Sequence, residues 1–284
     1  MNPLRIGARV FDGPGPFLMG VVNATPDSFS DGGRFLDPEA ARAHALRLVA
    51  EGADLLDLGG ESTRPGAAEV SVAEELRRVV PVVEAIRAAG CTAPISVDTR
   101  KAAVARAALA AGADLVNDVS ALADPAMAEV VAATGAPVVL MHMRGTPADM
   151  ASRAVYADVG AEVERELAEA LARAVRLGIP EARVVLDPGL GFAKRPEHDL
   201  RLLAELPRLR RLGRPLLVGP SRKSFIGRTT GAAVADRLPG TLAAVTACVL
   251  AGVELVRVHD VAAARQAAQV AAAIRSASSS AGEG

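Results

Sequence analysis

Eight short apolar runs, recurring about every 30 residues and each followed by a polar turn and a helix-forming stretch, constrain this chain more than anything else in its sequence. The runs are Phe17–Val22, Leu55–Leu58, Ile95–Val97, Leu115–Val116, Val138–Met141, Val184–Leu186, Leu216–Val218 and Leu255–Val258. Each is continuous rather than alternating, the pattern of a parallel strand covered on both faces. Eight β-then-α units predict a TIM-type (β/α)8 barrel, an α/β fold of about 250 residues that forms one domain. The 284 residues suffice for it, so residues 1–275 read as one domain and the Ser/Gly-rich residues 276–284 as a disordered tail. A doubly wound open sheet is the alternative that the pattern leaves standing.

Punctuation supports the helices. Asp37-Pro38-Glu39 opens the first, with Asp as N-cap and Pro at the first helical position, and Gly52 closes it. Ser71 followed by Glu74 reads as a capping box, and Gly90 ends that helix. Others are predicted over 101–112, 124–135, 156–178, 196–213, 234–252 and 261–275. Ahead of the first run, Leu4 to Phe11 alternates and leads into Gly13-Pro14-Gly15-Pro16, which predicts a small hairpin plugging the bottom of the barrel.

Composition excludes whole classes of function. Net charge is −1 and only 2 % of residues are aromatic, so the chain offers neither a basic field nor stacking platforms for nucleic acid. Cys91 and Cys248 have no metal-ligand spacing and read as thiols in a reducing compartment. The start of the chain lacks a signal-peptide run, and the apolar stretch Leu238–Val253 holds Pro239 and Gly240 and is too short to span a membrane. A cytoplasmic protein that does not contact membranes is expected.

In such a barrel the active site lies at the C-terminal ends of the strands. Each run ends in groups that carry charge or hydrogen-bond: Asn23, then Gly59 to Gly66, Asp98-Thr99-Arg100, Asn117-Asp118, His142-Met143-Arg144, Asp187-Pro188-Gly189, Gly219 to Ser224, and Arg257 with His259-Asp260. The opposite ends read mostly as Gly, Ala and Pro. Any one Asp or Asn on the rim has a simpler reading as a helix cap or turn former. Eight such ends on one rim are not explained by capping. No phosphate loop, hydrolase elbow or zinc spacing accounts for them.

These rim segments resemble the dihydropteroate synthase family. Asn-Ala-Thr-Pro-Asp-Ser-Phe-Ser-Asp-Gly-Gly from Asn23 is similar to that family's first loop, and Gly-Gly-Glu-Ser-Thr-Arg-Pro-Gly from Gly59 to its second. Ser96 to Thr99, Asn117 to Val119, Asp187 to Lys194, Ser221 to Gly227 and Arg257 to Asp260 match further blocks in order. The departures are slight, such as Ala24 and Ala121 where the family often has Val and Gly.

The resemblance implies a transferase that joins 6-hydroxymethyl-7,8-dihydropterin pyrophosphate to 4-aminobenzoate, giving 7,8-dihydropteroate for folate biosynthesis. Asp187, Asn117, Asp98, Lys223 and Arg257 would then hold the pterin, with Asp98, Asp187, Lys223 and Arg257 as the catalytic set. Asn23, Thr63, Arg257 and His259 would take the pyrophosphate, Asn23 by way of Mg²⁺, the implied cofactor. Thr63, Arg64, Pro65, Phe192, Lys223 and Ser224 would receive 4-aminobenzoate, where sulfonamide-type mimics should compete. His259 has an alternative as a rim histidine paired with Asp260. Two alternative readings share the pterin edge: a methyltransferase acting on methyltetrahydrofolate and a corrinoid, and a non-catalytic pterin-binding paralogue. The family, and the apolar helix around Leu242–Val253, imply a homodimer.

Overall fold

The structure, a computed structural model, describes residues 3–13, 15–24, 38–63 and 66–280. Two strands, β1 (Leu4–Ile6) and β2 (Arg9–Phe11), form an antiparallel hairpin. Eight parallel strands follow: β3 (Phe17–Asn23), β4 (Leu55–Gly59), β5 (Ile95–Asp98), β6 (Leu115–Asp118), β7 (Val138–Met141), β8 (Val184–Asp187), β9 (Leu217–Val218) and β10 (Leu255–Val258). Their order is β8-β7-β6-β5-β4-β3-β10-β9, and a bridge between Leu186 and Leu216 joins the two ends into a barrel. The open-sheet alternative is thereby set aside.

Strand alternation sorts the apolar residues into two cores. Leu18, Leu56, Val97, Val116, Leu140, Val218 and Val256 face outward and pack with helical residues such as Leu48, Val83, Ile86, Leu167 and Val249. Met19, Leu55, Leu115, Val139, Val185, Leu217 and Leu255 face the barrel axis, where Leu4, Ile6 and Phe11 of the hairpin close over them. The hairpin is therefore the floor of the barrel, as its sequence predicts. The Phe11 ring meets Phe17 edge to face, with centroids 4.9 Å apart.

The bottom rim differs from its reading as mostly Gly, Ala and Pro. Asp54, Asp114 and Glu254 sit in the turns entering strands, and each accepts a backbone N–H from a neighbouring segment: Leu18, Ile95 and Leu216 respectively. Arg9 and Arg265 pair with Asp54, Arg87 with Asp114 and Arg210 with Glu254. The recurring Ala-Asp before a strand is thus a device that satisfies N–H groups at the strand entrances.

The barrel is wrapped by α1 (Pro38–Ala50), α2 (Val72–Ala88), α3 (Ala102–Ala110), α4 (Pro125–Thr134), α5 (Val159–Arg176), α6 (Pro196–Ala204), α7 (Leu206–Leu209), α8 (Ser224–Thr230), α9 (Leu238–Leu250) and α10 (Val261–Ser280). Ser71 caps α2 by accepting from the Glu74 N–H, whereas the Glu74 carboxylate turns to Arg77 and Arg78, so half of the box forms. The stretch 196–213 is broken at Glu205, because Pro207 follows and has no N–H to continue the ladder. Asp37 lies outside the described residues. Helix α10 runs on to Ser280, past residue 275, with Ser276 and Ser278 hydroxyls donating back to the carbonyls of Ala272 and Ile274. No described helix is long and apolar enough to cross a membrane.

Replacing Phe11 by Ala should open a cavity in the floor and cost about 3–5 kcal/mol, read as a lower midpoint in denaturant. A shift below about 1 kcal/mol would show that the hairpin does not seal the core.

Candidate active site

Above the apolar floor, the inward positions of the strands turn polar. Asp57, Ser96, Asp98, Asn117 and Asp187 are all buried there, and Arg257 enters from β10. Cations and anions meet in a cavity lined by Thr63, Asp98, Asn117, Asp187, Phe192, Lys223, Arg257 and apolar neighbours including Met141. A few convergent polar groups among apolar walls are the make-up of a small-ligand site.

Arg257 organises the centre. Its Nε donates to Asp57 Oδ2 at 2.6 Å and its Nη2 to Asp98 Oδ2 at 3.0 Å. Asn117 Nδ2 also donates to Asp57, at 3.2 Å, which leaves its amide oxygen as the end available to a ligand. Asp98 Oδ1 is buried with no hydrogen-bond partner among the described residues, and such a group calls for a donor. Burial, followed by the charge of Asp57, pushes the Asp98 carboxyl up to about 7 despite Arg257.

On the opposite side, Asp187 Oδ1 accepts the Gly189 N–H at 2.7 Å. Burial raises its pKa to about 6, while Gly189, Lys223, Lys194 and Arg257 pull it down. Gly189 cannot be replaced: its φ is +67°, and a Cβ would lie 2.1 Å from the His142 carbonyl oxygen. The Lys223 ammonium stands 4.4 Å from the centroid of the Phe192 ring, and burial, then Arg257, lower its pKa to about 8. Lys223 is turned inward by Arg222, which adopts φ +57° and is held by Asp260 at 2.7 Å and 3.0 Å.

The sequence-predicted residues fall into three groups. Asp98, Asn117, Asp187, Phe192, Lys223, Arg257 and Thr63 share the cavity. Asn23, His259 and Ser224 do not line it. Asn23 is half-buried at the end of β3, and Ser224 is exposed at the start of α8. His259 does not pair with Asp260, which Arg222 occupies; its Nδ1 meets Ser221 Oγ at 2.9 Å, and burial plus Arg257 lower its pKa to about 4. Arg64 and Pro65, like most of the first loop, lie outside the described residues.

Three residues escaped the sequence reading. Asp57 sits inside an apolar run, and a carboxylate at the centre of such a run was the available signal. Lys194 and His142 belonged to rim segments without a role; they meet at 2.9 Å, Nζ to Nδ1. Ala121, where the resemblance gives Gly, holds φ +50°, so that departure removes no functional group but strains the backbone.

Comparison with known proteins agrees with this geometry. The family described as pterin binding enzyme matches residues 19–259. A dihydropteroate synthase from Synechocystis is 46 % identical, with 96 % of this chain and 95 % of that protein covered. The Xanthomonas albilineans dihydropteroate synthase structure with 4-aminobenzoic acid superimposes with a TM-score of 0.90 at 50 % identity, covering 96 % of this chain and 98 % of that one. The structure of the enzyme from the same organism in complex with 7,8-dihydropteroate gives 0.87 at 47 %, covering 96 % and 98 %. The chain belongs to the pterin-binding enzyme family.

A carboxyl raised in the folded chain favours folding while it is protonated. That contribution is complete below about pH 4, the ordinary carboxylate range, and is lost as pH rises through about 6 for Asp187 and about 7 for Asp98. Asp98→Asn should therefore flatten the decline in melting temperature of the ligand-free protein between about pH 5 and pH 8. Parallel profiles for variant and wild type would contradict the assignment.

Proposed function

We propose that this cavity condenses 6-hydroxymethyl-7,8-dihydropterin pyrophosphate with 4-aminobenzoate, the dihydropteroate synthase reaction. The observation that carries this reading is the shared cavity: Asp98, Asn117 and Asp187 supply acceptors for the guanidine-like edge of a pterin, while Arg257, Lys223 and Thr63 stand beside them for an anion. The chain is a transferase of the pterinylmethyl group, and its relatives carry that activity in their names.

Asp187 takes the 2-amino and ring N–H groups of the pterin, Asn117 and Asp98 complete the edge, and Lys223 reaches a ring acceptor. The Nη1 of Arg257, not engaged by Asp57 or Asp98, lies over the ring and toward the phosphates. Thr63 and His259 assist with the pyrophosphate. Phe192 and Pro65 flank the benzoate ring, Arg64 and Lys223 favour its negative charge, and Ser224 offers a hydroxyl at the start of a helix.

An arylamine is neutral near pH 7, so its nitrogen attacks without a strong base. The C–O bond to pyrophosphate breaks ahead of formation of the new N–C bond at the methylene carbon, and the amine then loses a proton. Catalysis by this chain therefore rests on holding the two reactants together and on stabilising the departing anion with preorganised cations. Charge that develops on the methylene carbon is spread into the pterin, and a cation-like path follows.

Mg²⁺ is part of this proposal. The Asn23 amide oxygen is a hard ligand, and among the described residues no group of three or more His, Cys, Asp or Glu is placed to hold an ion by itself. A single protein oxygen fits Mg²⁺ that is shared with pyrophosphate and water, where it would neutralise the leaving group. Two copies of the chain pairing through α9 and α10 are proposed as well. Much of α9 faces the barrel through Ala244, Val245, Cys248 and Val249, but Leu250 and, on α10, Val270 and Ile274 are exposed apolar residues. Sedimentation at twice the chain mass would support that pairing, and sedimentation as a monomer would refute it.

Mixing the protein with both substrates and Mg²⁺ should yield dihydropteroate and pyrophosphate, followed by mass spectrometry, and chelation should stop it. Asp187→Asn is expected to abolish pterin binding and product formation. Near-normal turnover by that variant would overturn the pterin assignment, and tight pterin binding by wild type without product would favour the non-catalytic paralogue.

A further inference from the structure

Behind the cavity, the segment from Pro188 to Lys194 carries three left-handed residues within five: Gly189 at φ +67°, Gly191 at φ +78° and Ala193 at φ +49°. The last has a side chain, and such a conformation persists only where the surroundings over-determine it. Here they do. Gly189 N–H donates to Asp187 at 2.7 Å, Gly191 N–H to Asp199 Oδ1 at 2.8 Å, and Phe192 N–H to the Gly189 carbonyl at 3.0 Å. From behind, the Tyr156 hydroxyl donates to the Ala193 carbonyl at 3.0 Å and Lys194 Nζ to the Phe192 carbonyl at 2.9 Å.

Lys194 is an unusual choice for a purely structural bond. It is half-buried, and its other contacts are His142 Nδ1 at 2.9 Å and the His142 carbonyl at 3.3 Å, so its three acceptors are uncharged. Among the described residues no carboxylate pairs with it directly; Asp199, Asp187 and Glu166 act on it only through space, against the charge of Lys223. An ammonium drawn partly out of water without a direct counter-ion tends to cost stability rather than add it. The rest of the network is ordered around it. His142 Nε2 meets Glu166 at 2.9 Å, Glu166 pairs with Arg144, and the Arg144 guanidinium lies 4.1 Å from the centroid of the Tyr156 ring. Lys194 and Tyr156 therefore belong to one closed set of contacts that holds the segment from behind. Neither residue lines the cavity, whereas Gly189, Leu190 and Phe192 do.

We infer that Lys194 and Tyr156 are positioning residues for the arylamine: they hold the Pro188–Lys194 segment so that the Phe192 ring forms the wall of the 4-aminobenzoate pocket. This rests on the reading of the cavity given above and deepens it. The consequence falls mainly on the arylamine, because the pterin acceptors Asp98 and Asn117 lie on other strands and Asp187 meets the clamped segment only at its start, through the Gly189 N–H.

Steady-state kinetics of Lys194→Met and Tyr156→Phe, run beside wild type with each substrate varied in turn, test the inference. Lys194→Met should raise KM for 4-aminobenzoate about tenfold or more, and Tyr156→Phe about threefold, the loss of one neutral hydrogen bond. For both variants, KM for the pterin substrate should move less than about twofold. Unchanged KM for 4-aminobenzoate in both variants would overturn the inference. Equal rises for both substrates, with a matching fall in melting temperature, would also overturn it by showing a merely structural role. If Lys194→Met does not fold, Tyr156→Phe decides by the same two criteria. Wild-type protein that forms no dihydropteroate would overturn the reading of the cavity and this inference with it, whereas active wild type with unaffected variants would overturn the inference alone.

Discussion

The guanidinium of Arg257, held between Asp57 and Asp98, is the contact on which the rest of the site depends. It joins β10 to β4 across 200 residues of sequence, through the interior of the barrel rather than along its hydrogen-bond ladder. Below it the barrel is dry and filled by the hairpin; above it stand the groups that meet ligand. Two carboxylates against one guanidinium leave the centre short of positive charge, and burial makes that shortage felt. Asp98 answers by holding its proton to about 7, and its unpartnered oxygen points to what a ligand must bring: N–H donors. A pterin edge has them.

That arrangement also explains why the chain needs no obvious general base. Lys223 and Arg257 face Asp98 and Asp187 in the cavity, and Asp57 holds Arg257 from below, so the cations are in place before substrate arrives. Preorganised charge is what a departing pyrophosphate needs, and a neutral arylamine asks only for a wall and an orientation. On the proposed reading the pterin is held by side chains on barrel strands, which are rigid. The proposed arylamine wall is a strained segment after β8, and its rigidity has to be supplied by side chains behind it.

Much of this was legible in the sequence. Continuous apolar runs and their glycine stops place all eight strands, because a strand buried on both faces leaves no other pattern. The polar rim identifies the working end for the same reason. What stayed hidden depends on contacts between distant segments. Asp57 looks like an intrusion in an apolar run until β10 brings Arg257 to it. His259 and Asp260 are neighbours in sequence and suggest a pair, yet their side chains diverge to Ser221 and Arg222. Lys194 fits a motif, but its role depends on His142, 52 residues away. The acidic residues entering the strands sit at ends whose sequence reads mostly as Gly, Ala and Pro, and only the sheet shows which N–H groups they satisfy.

If the free site stores protons on its buried carboxyls, binding must release them. Calorimetric titration with the pterin alcohol, lacking the pyrophosphate, at about pH 6 in two buffers of different ionisation enthalpy measures that exchange directly. The account predicts proton release to the buffer, fading by about pH 8, where both carboxyls are already ionised in the free protein. Proton uptake, or no exchange at about pH 6, would contradict the claim that Asp98 and Asp187 keep protons that a ligand's N–H donors displace.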